Sequence, residues 1–195
     1  FTTNPWQRGT SFTSLGTGAY AADRFWIQNG SDAVVDILKT ADAPTAAEAG
    51  LFTQHCFHAD VTTVDSSIAA GQFYQIRYNV EGLDAASLGF GQAGTRNITF
   101  SFWVKSTKTG IFCVAFVNNA DNRSYISEYT VNVSDTWEKK TITLAVDTTG
   151  TWLYTNGTGL KILFPLAMGS TYQWNVAHTS YCWRGSRTIR NGSRV

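Results

Sequence analysis

Hydrophobic and polar positions alternate with a period of two along much of this chain. From Phe73 to Val80, Tyr74, Ile76, Tyr78 and Val80 fall on one face, with Gln75, Arg77 and Asn79 on the other. Ile98, Phe100, Phe102 and Val104 likewise oppose Thr99, Ser101 and Trp103, and Ile142, Leu144 and Val146 oppose Thr141, Thr143 and Ala145. Successive side chains of a strand point to opposite faces, so the pattern predicts half-buried antiparallel strands. The runs at 111–117 and 160–166 predict strands buried on both faces. Between them, Glu81–Gly94, Asn118–Arg123 and Thr148–Gly159 carry Gly, Asn, Asp and Thr, which is turn chemistry. Helix is confined to a turn or two within Ala41–Ala49 and Leu83–Leu88. Many short strands with irregular loops predict an all-β fold, an antiparallel two-sheet β-sandwich arranged as a jelly roll. No repeat or linker divides it, so residues 1–183 are expected to form a single domain.

Composition sharpens this picture. The 195 residues suffice for one sizeable core. Aromatic content is 14% and charge only 15%, the reverse of a disordered chain. Apolar runs are short and strand-like, so no membrane insertion is expected. Phe1 is not an initiator Met and no signal-peptide core follows it, so the chain reads as a piece of something longer. Of fifteen bases, Arg184, Arg187, Arg190 and Arg194 fall in the last twelve residues, leaving eleven against all fourteen acids before them, a balance of −3. An acidic body with a basic tail over 184–195 does not suit nucleic-acid binding, which needs a basic face. Cys56, Cys113 and Cys182 have no metal-like spacing. Cys113 is expected as a small core residue within an apolar run, and a Cys56–Cys182 disulfide is the alternative to three free thiols in a reducing cytoplasm.

Four segments recur in a recognisable order. They are Asn4-Pro5-Trp6-Gln7-Arg8-Gly9-Thr10, then Tyr20 with Ala22-Asp23-Arg24-Phe25-Trp26, then Thr99-Phe100-Ser101-Phe102-Trp103-Val104-Lys105, and Trp137-Glu138-Lys139-Lys140. Together they resemble the jelly-roll module of bacteriophage tail fibres and related virion appendages, over about Asn4 to Trp174. The resemblance implies a virion protein, assembled in the bacterial host cytoplasm, that recognises host-surface polysaccharide or lipopolysaccharide without catalysis. It also implies other virion proteins as partners and a homo-oligomer, usually a trimer. The end of the chain departs from the family, which closes with a further apolar strand. After Trp183 no apolar alternation follows, and a lost closing strand would expose sheet edges to another chain. The expectation is a sandwich completed by a neighbouring subunit or by further residues.

Candidate chemistry is sparse. His55, Cys56, His58 and Asp60 resemble metal ligands, but on a strand 55 and 58 face opposite ways, so no metal or other cofactor is expected. There is no G-x-S-x-G elbow, and Asp23 with Arg24 reads as a structural pair anchoring the first strand. No enzyme activity is expected. Sugars present C–H faces that pack on flat rings and hydroxyls that bond to amides and carboxylates. Two loops offer that mixture: Asn118, Asp121, Asn122, Arg123 and Tyr125, and Trp152, Tyr154 and Asn156 beside Asp147. These eight residues are the candidate ligand site, each of its aromatics also being a candidate for core packing. A structural virion protein that binds only other virion proteins is the alternative function, and a carbohydrate-binding module attached to a secreted glycoside hydrolase is a third.

Overall fold

The computed structural model describes residues 5–172 and 193–194. Among the described residues eleven strands form two sheets. One contains β1 (Ser11–Phe12), β3 (Val34–Thr40), β4 (Cys56–Thr63), β11 (Ser193–Arg194), β6 (Ile98–Ser106) and β9 (Glu138–Leu144), adjacent in that order. The other has β2 (Phe25–Asn29), β5 (Phe73–Glu81), β10 (Thr158–Met168), β7 (Gly110–Asn118) and β8 (Ser124–Val131). All pairings are antiparallel, and the chain repeatedly crosses from one sheet to the other. This is the antiparallel jelly-roll sandwich that the alternation predicts.

The inward faces meet in one core. Ile27, Tyr74, Ile76, Val114, Phe116 and Leu160 of the five-stranded sheet pack against Val35, Ile37, Val61, Ile142 and Leu144 of the other. Phe100 meets Phe116 edge-on at 5.3 Å, and Phe25 lies 4.5 Å from Phe57. Burial of such rings is the main stabilising term, and the edge-on geometry adds a smaller quadrupolar one. Pro165 has no N–H to give the ladder, and the β5–β10 register shifts between Pro165 and Ala167, a bulge where proline is tolerated. Among the described residues helix is limited to α1 (Ala46–Ala49), α2 (Gly82–Ala85) and a 3₁₀ turn at Ala86–Leu88 before a second at Ser170–Tyr172. Thr45 and Glu48 form a reciprocal capping box on α1, and Gly50 ends it in the left-handed conformation. At Gly82 a Cβ would stand 2.6 Å from the carbonyl oxygens of Leu153 and Thr155, so glycine is what lets the 151–157 loop close onto the end of β5.

Three expectations need correction. Arg24 pairs with Asp84 at 2.6 Å and Glu81 at 3.8 Å rather than with Asp23, because its left-handed backbone turns the side chain towards α2. Cys113 is buried as expected, 3% exposed, but disulfide-bonded rather than free, while Cys56 is free and 3.0 Å from the Thr40 hydroxyl, so neither three free thiols nor a Cys56–Cys182 bond holds. The basic tail also contributes to the fold: Ser193 pairs with Ala59 and Ser106, and Arg194 with His58 and Lys105. Strand pairing is made by the main chain, so a segment without apolar alternation still occupies the gap between β4 and β6. The domain boundary expected at 183/184 lies outside the described residues.

Candidate functional site

The two loops singled out by composition do come together, as a closed polar knot. Asn118, only 1% exposed at the end of β7, uses its whole amide. Its Oδ1 accepts from the backbone N–H groups of Asn122 and Arg123 at 3.1 Å, and its Nδ2 donates to Asn122 Oδ1 at 2.7 Å and to the Thr151 carbonyl at 3.1 Å. Arg123 donates from Nε and Nη2 to the two oxygens of Asp147 at 2.6 and 2.7 Å, and also to the Thr149 hydroxyl. That guanidinium holds the Asp147 carboxyl well below the usual carboxylate range, with Thr149 adding to the effect against a smaller burial penalty. Trp152 is 8% exposed, stacks on Phe90 at 4.3 Å and donates its indole N–H to the Thr149 carbonyl at 3.3 Å. The Tyr154 hydroxyl donates to the Phe90 carbonyl, and Tyr125 lies half-buried against the core. Asn156 is exposed and has no hydrogen bond to this network among the described residues.

Asp121 leads elsewhere. Its left-handed backbone turns the loop tip so that its carboxylate meets Lys161 Nζ at 2.7 Å, a cation that also donates to the Asn119 carbonyl at 2.8 Å. Lys161 lies on the outer face of the five-stranded sheet, directly across from Asn79. That face is the polar side of the alternation in β5. Gln75, Arg77 and Asn79 point outward from it, and the register sets Gln28 opposite Gln75 and Trp26 opposite Arg77. Same-face neighbours on a strand stand about 7 Å apart, so these groups form one continuous patch.

Its chemistry differs from that of the loops. The Arg77 guanidinium lies over the Trp26 ring, 3.9 Å from the centroid, while Tyr20 stacks on Trp26 at 5.9 Å and Arg8 lies 5.5 Å from the Tyr20 ring. Arg77 is 9% exposed and Asn79 8%. Arg77 Nε donates to Asn79 Oδ1 at 2.5 Å, which leaves Asn79 Nδ2 as a spare donor. Gln75 Nε2 donates to Gln28 Oε1 at 2.5 Å, which leaves Gln75 Oε1 as a spare acceptor. Trp26 Nε1, Asn79 Nδ2 and Gln75 Oε1 are all buried and without a hydrogen-bond partner. A buried polar atom left unpaired costs about 1–3 kcal/mol. Of the six such atoms among the described residues, these three share one patch of sheet, while Tyr74 Oη and the two His58 nitrogens lie elsewhere.

Sequence reasoning placed Gln75, Arg77 and Asn79 on the polar side of a strand and went no further. A signal was present. Trp26 alternates with Phe25 and Ile27, so a tryptophan falls on the polar face of its strand. The polar face of β5 is amide and guanidinium, rather than the Lys, Glu and Thr of an ordinary solvated face. What the chain alone does not give is that β2 and β5 are neighbours.

A separate cavity of about 420 Å³ opens beside β11. It is lined by consecutive residues of two strands, Cys56–Phe57 of β4 and Phe100–Trp103 of β6, with Trp137, His55 and inward rings of the other sheet. Consecutive residues belong to both faces of a strand, so strand edges border this space. Among the described residues no group of three or more His, Cys, Asp or Glu is placed to hold a metal ion, and no helix is long and apolar enough to cross a membrane.

No family model and no curated protein matches the chain. Solved structures with similar folds include the enzymatically active domain of bacteriophage CBA120 tailspike protein 4, at 16% identity and a TM-score of 0.45, over 78% of this chain and 20% of that one. The chain thus spans about a fifth of the tailspike chain it matches. Others are a CBM4 carbohydrate-binding module (18% identity, TM-score 0.41, 83% of this chain and 92% of that) and TmCBM61 in complex with β-1,4-galactotriose (12%, 0.36, 79% and 86%).

Proposed function

We propose that this protein is a non-catalytic glycan-binding module of a tail-fibre-like virion appendage, with its ligand on the outer face of the five-stranded sheet. One observation carries the reading: the buried, unpartnered Trp26 Nε1, Asn79 Nδ2 and Gln75 Oε1 on one face beside the Tyr20–Trp26 stack. Sugar hydroxyls both donate and accept, so a glycan meets all three atoms, whereas a pure acceptor leaves Gln75 unpaired. Asp121 and Asn122, exposed at the adjoining loop tip, extend this surface, and the Asn118–Arg123–Asp147 network fixes that loop in place. The ordered motifs shared with tail-fibre modules support host-surface polysaccharide or lipopolysaccharide as the target. They also support a trimeric assembly in which several weak sites act together. The test is binding of the intact protein to host-type cells and to an array of bacterial surface glycans. Saturable binding that weakens about tenfold in Trp26→Phe, which keeps a ring but removes the indole N–H, supports the reading. Equal binding by the wild type and that variant sinks this location for the site.

The cleft between β4 and β6 favours a second reading, a structural virion module that binds only other virion proteins. Ser193–Arg194 runs antiparallel to both strands there, and the space beyond is bordered by their edges. An extended strand with apolar side chains at alternate positions is the occupant that such a slot fits. A peptide of that design, added to the protein, should raise its thermal midpoint and change Trp103 and Trp137 fluorescence. Glycan-array silence together with that response would favour the structural role.

A further inference from the structure

Arg77 is an unbalanced buried cation. The guanidinium lies on the outer face of β5, with the residue 91% out of solvent, yet it forms no ion pair with a described residue. Its one hydrogen bond runs from Nε to a neutral amide oxygen, Asn79 Oδ1. Asp121, whose charge it feels, is committed to Lys161. The other bases with resolved ion pairs are differently placed: Arg24 has Asp84 and Glu81, Lys105 has Asp42 and Asp135, Arg123 has Asp147, and Lys140 has Glu138. Buried charges in proteins are paired or neutralised, because the desolvation cost of an isolated ion is large. Burial accordingly lowers the affinity of this guanidinium for its proton, and an arginine still keeps its charge there.

The surrounding groups have the matching polarity. Trp26 Nε1 and Asn79 Nδ2, both buried and without a partner, are donors that flank the guanidinium. Its terminal nitrogens have no hydrogen bond with a described residue. The terminal nitrogens of the fork are thus the atoms an anionic group meets first, and the two buried donors, with the acceptor Gln75 Oε1 two positions along the strand, come within its reach once the side chains that cover them shift. An arginine fork suits the two oxygens of a carboxylate or phosphate. The acceptor needs a hydroxyl from the same ligand.

We infer that the ligand of this face is an acidic saccharide whose anionic group sits against Arg77, Trp26 and Asn79 while a neighbouring hydroxyl donates to Gln75. This rests on the glycan reading above and narrows it to a ligand class. The experiment compares binding of a hexuronate oligosaccharide with that of the same oligosaccharide after its carboxyl groups are reduced to alcohols, with inorganic phosphate as competitor. The wild type should prefer the acid by about tenfold or more, as one charge-assisted bond would give. Arg77→Gln should bring that ratio to about one, and Arg77→Lys, which keeps charge but not the fork, should leave part of it. Equal binding of acid and reduced forms by the wild type overturns the inference and leaves glycan recognition standing. No binding of either by folded protein overturns both. Phosphate displacing the uronate at equal concentration overturns the saccharide part, since an anion alone then suffices. The wild-type ratio needs no variant, so a poorly folding Arg77→Gln does not blunt the test.

Discussion

Two polar, aromatic-rich regions of this molecule look alike in composition and differ in how their hydrogen bonds close. In the 118–123 and 147–154 loops the buried polar groups close on one another: Asn118 uses both amide atoms, Arg123 grips Asp147, and the Trp152 and Tyr154 donors end on backbone carbonyls. On the outer face of β2 and β5, a cation is buried without an ion pair, and two donors and an acceptor are buried without a hydrogen-bond partner. A closed network holds loops in place with its buried groups already satisfied. An open one is destabilising until something binds, which is the expected signature of a site rather than a scaffold. Partnering, and not residue type, separates the two.

The largest effect should come from breaking the closed region. Asn118→Ala removes bonds to Asn122 and Thr151 from a fully buried side chain and leaves the backbone N–H groups of Asn122 and Arg123 without their acceptor. Unfolding in urea should show a loss of about 3 kcal/mol with an unchanged slope. A loss below about 1 kcal/mol would mean that water replaces the amide without cost and that the loops are not held by it. Next in size is a change that closes the open region. Asn79 Oδ1 already sits 2.5 Å from Arg77 Nε, so Asn79→Asp supplies the missing counter-charge in place. Because Arg77 is buried in either case, the added carboxylate should raise the thermal midpoint by about 2–4 °C while lowering acidic-saccharide affinity more than tenfold. Stability and binding moving together would break the contrast between the regions.

Most of the fold was legible, and the reason is local. Tyr74, Ile76 and Tyr78, or Ile98, Phe100 and Phe102, declare their buried face by spacing alone, because a sandwich strand has one core side and one outer side. The sites were less legible because they depend on partners far along the chain. Nothing near Asn118 shows that Thr151 will take its amide proton, and nothing near Arg77 shows that Trp26, rather than a carboxylate, will lie beneath it. The tail misled for a related reason. Alternation reports side-chain burial, whereas Ser193–Arg194 enters the β4–β6 gap through its main chain. Arg24 was assigned to its sequence neighbour Asp23, although the left-handed turn there sends it to Asp84.

Acid acts on a place outside both regions, the start of β9. Glu138 loses some ionisation to burial, but bonds from Lys140 and from the Val133 and Asn132 N–H groups outweigh it and bring its pKa from 4.5 down to about 2. A carboxyl depressed in the folded state contributes stability that is complete above its unfolded pKa and lost as pH falls through the folded one. The thermal midpoint should therefore decline between about pH 4.5 and about 2, and that part of the decline should vanish in Glu138→Gln. An equally steep fall in the variant would assign the acid limb to other groups, Asp147 first among them.

The smallest expected effect tests the acceptor. Gln75 Oε1 is buried and unpaired, while its Nε2 reaches the half-buried Gln28. Replacing it with Met, a side chain of similar length, removes an atom that does nothing in the free protein and leaves Gln28 within reach of water. Unfolding free energy should move by less than about 1 kcal/mol, because the lost bond and the relieved acceptor nearly cancel. Saccharide affinity should fall about three- to tenfold, one neutral hydrogen bond's worth. The two readouts part only if the atom exists for a ligand. A variant with unchanged affinity and higher stability would make Gln75 a packing imperfection, and the open patch would shrink to Arg77, Trp26 and Asn79, a site for an anion with no requirement for a sugar hydroxyl.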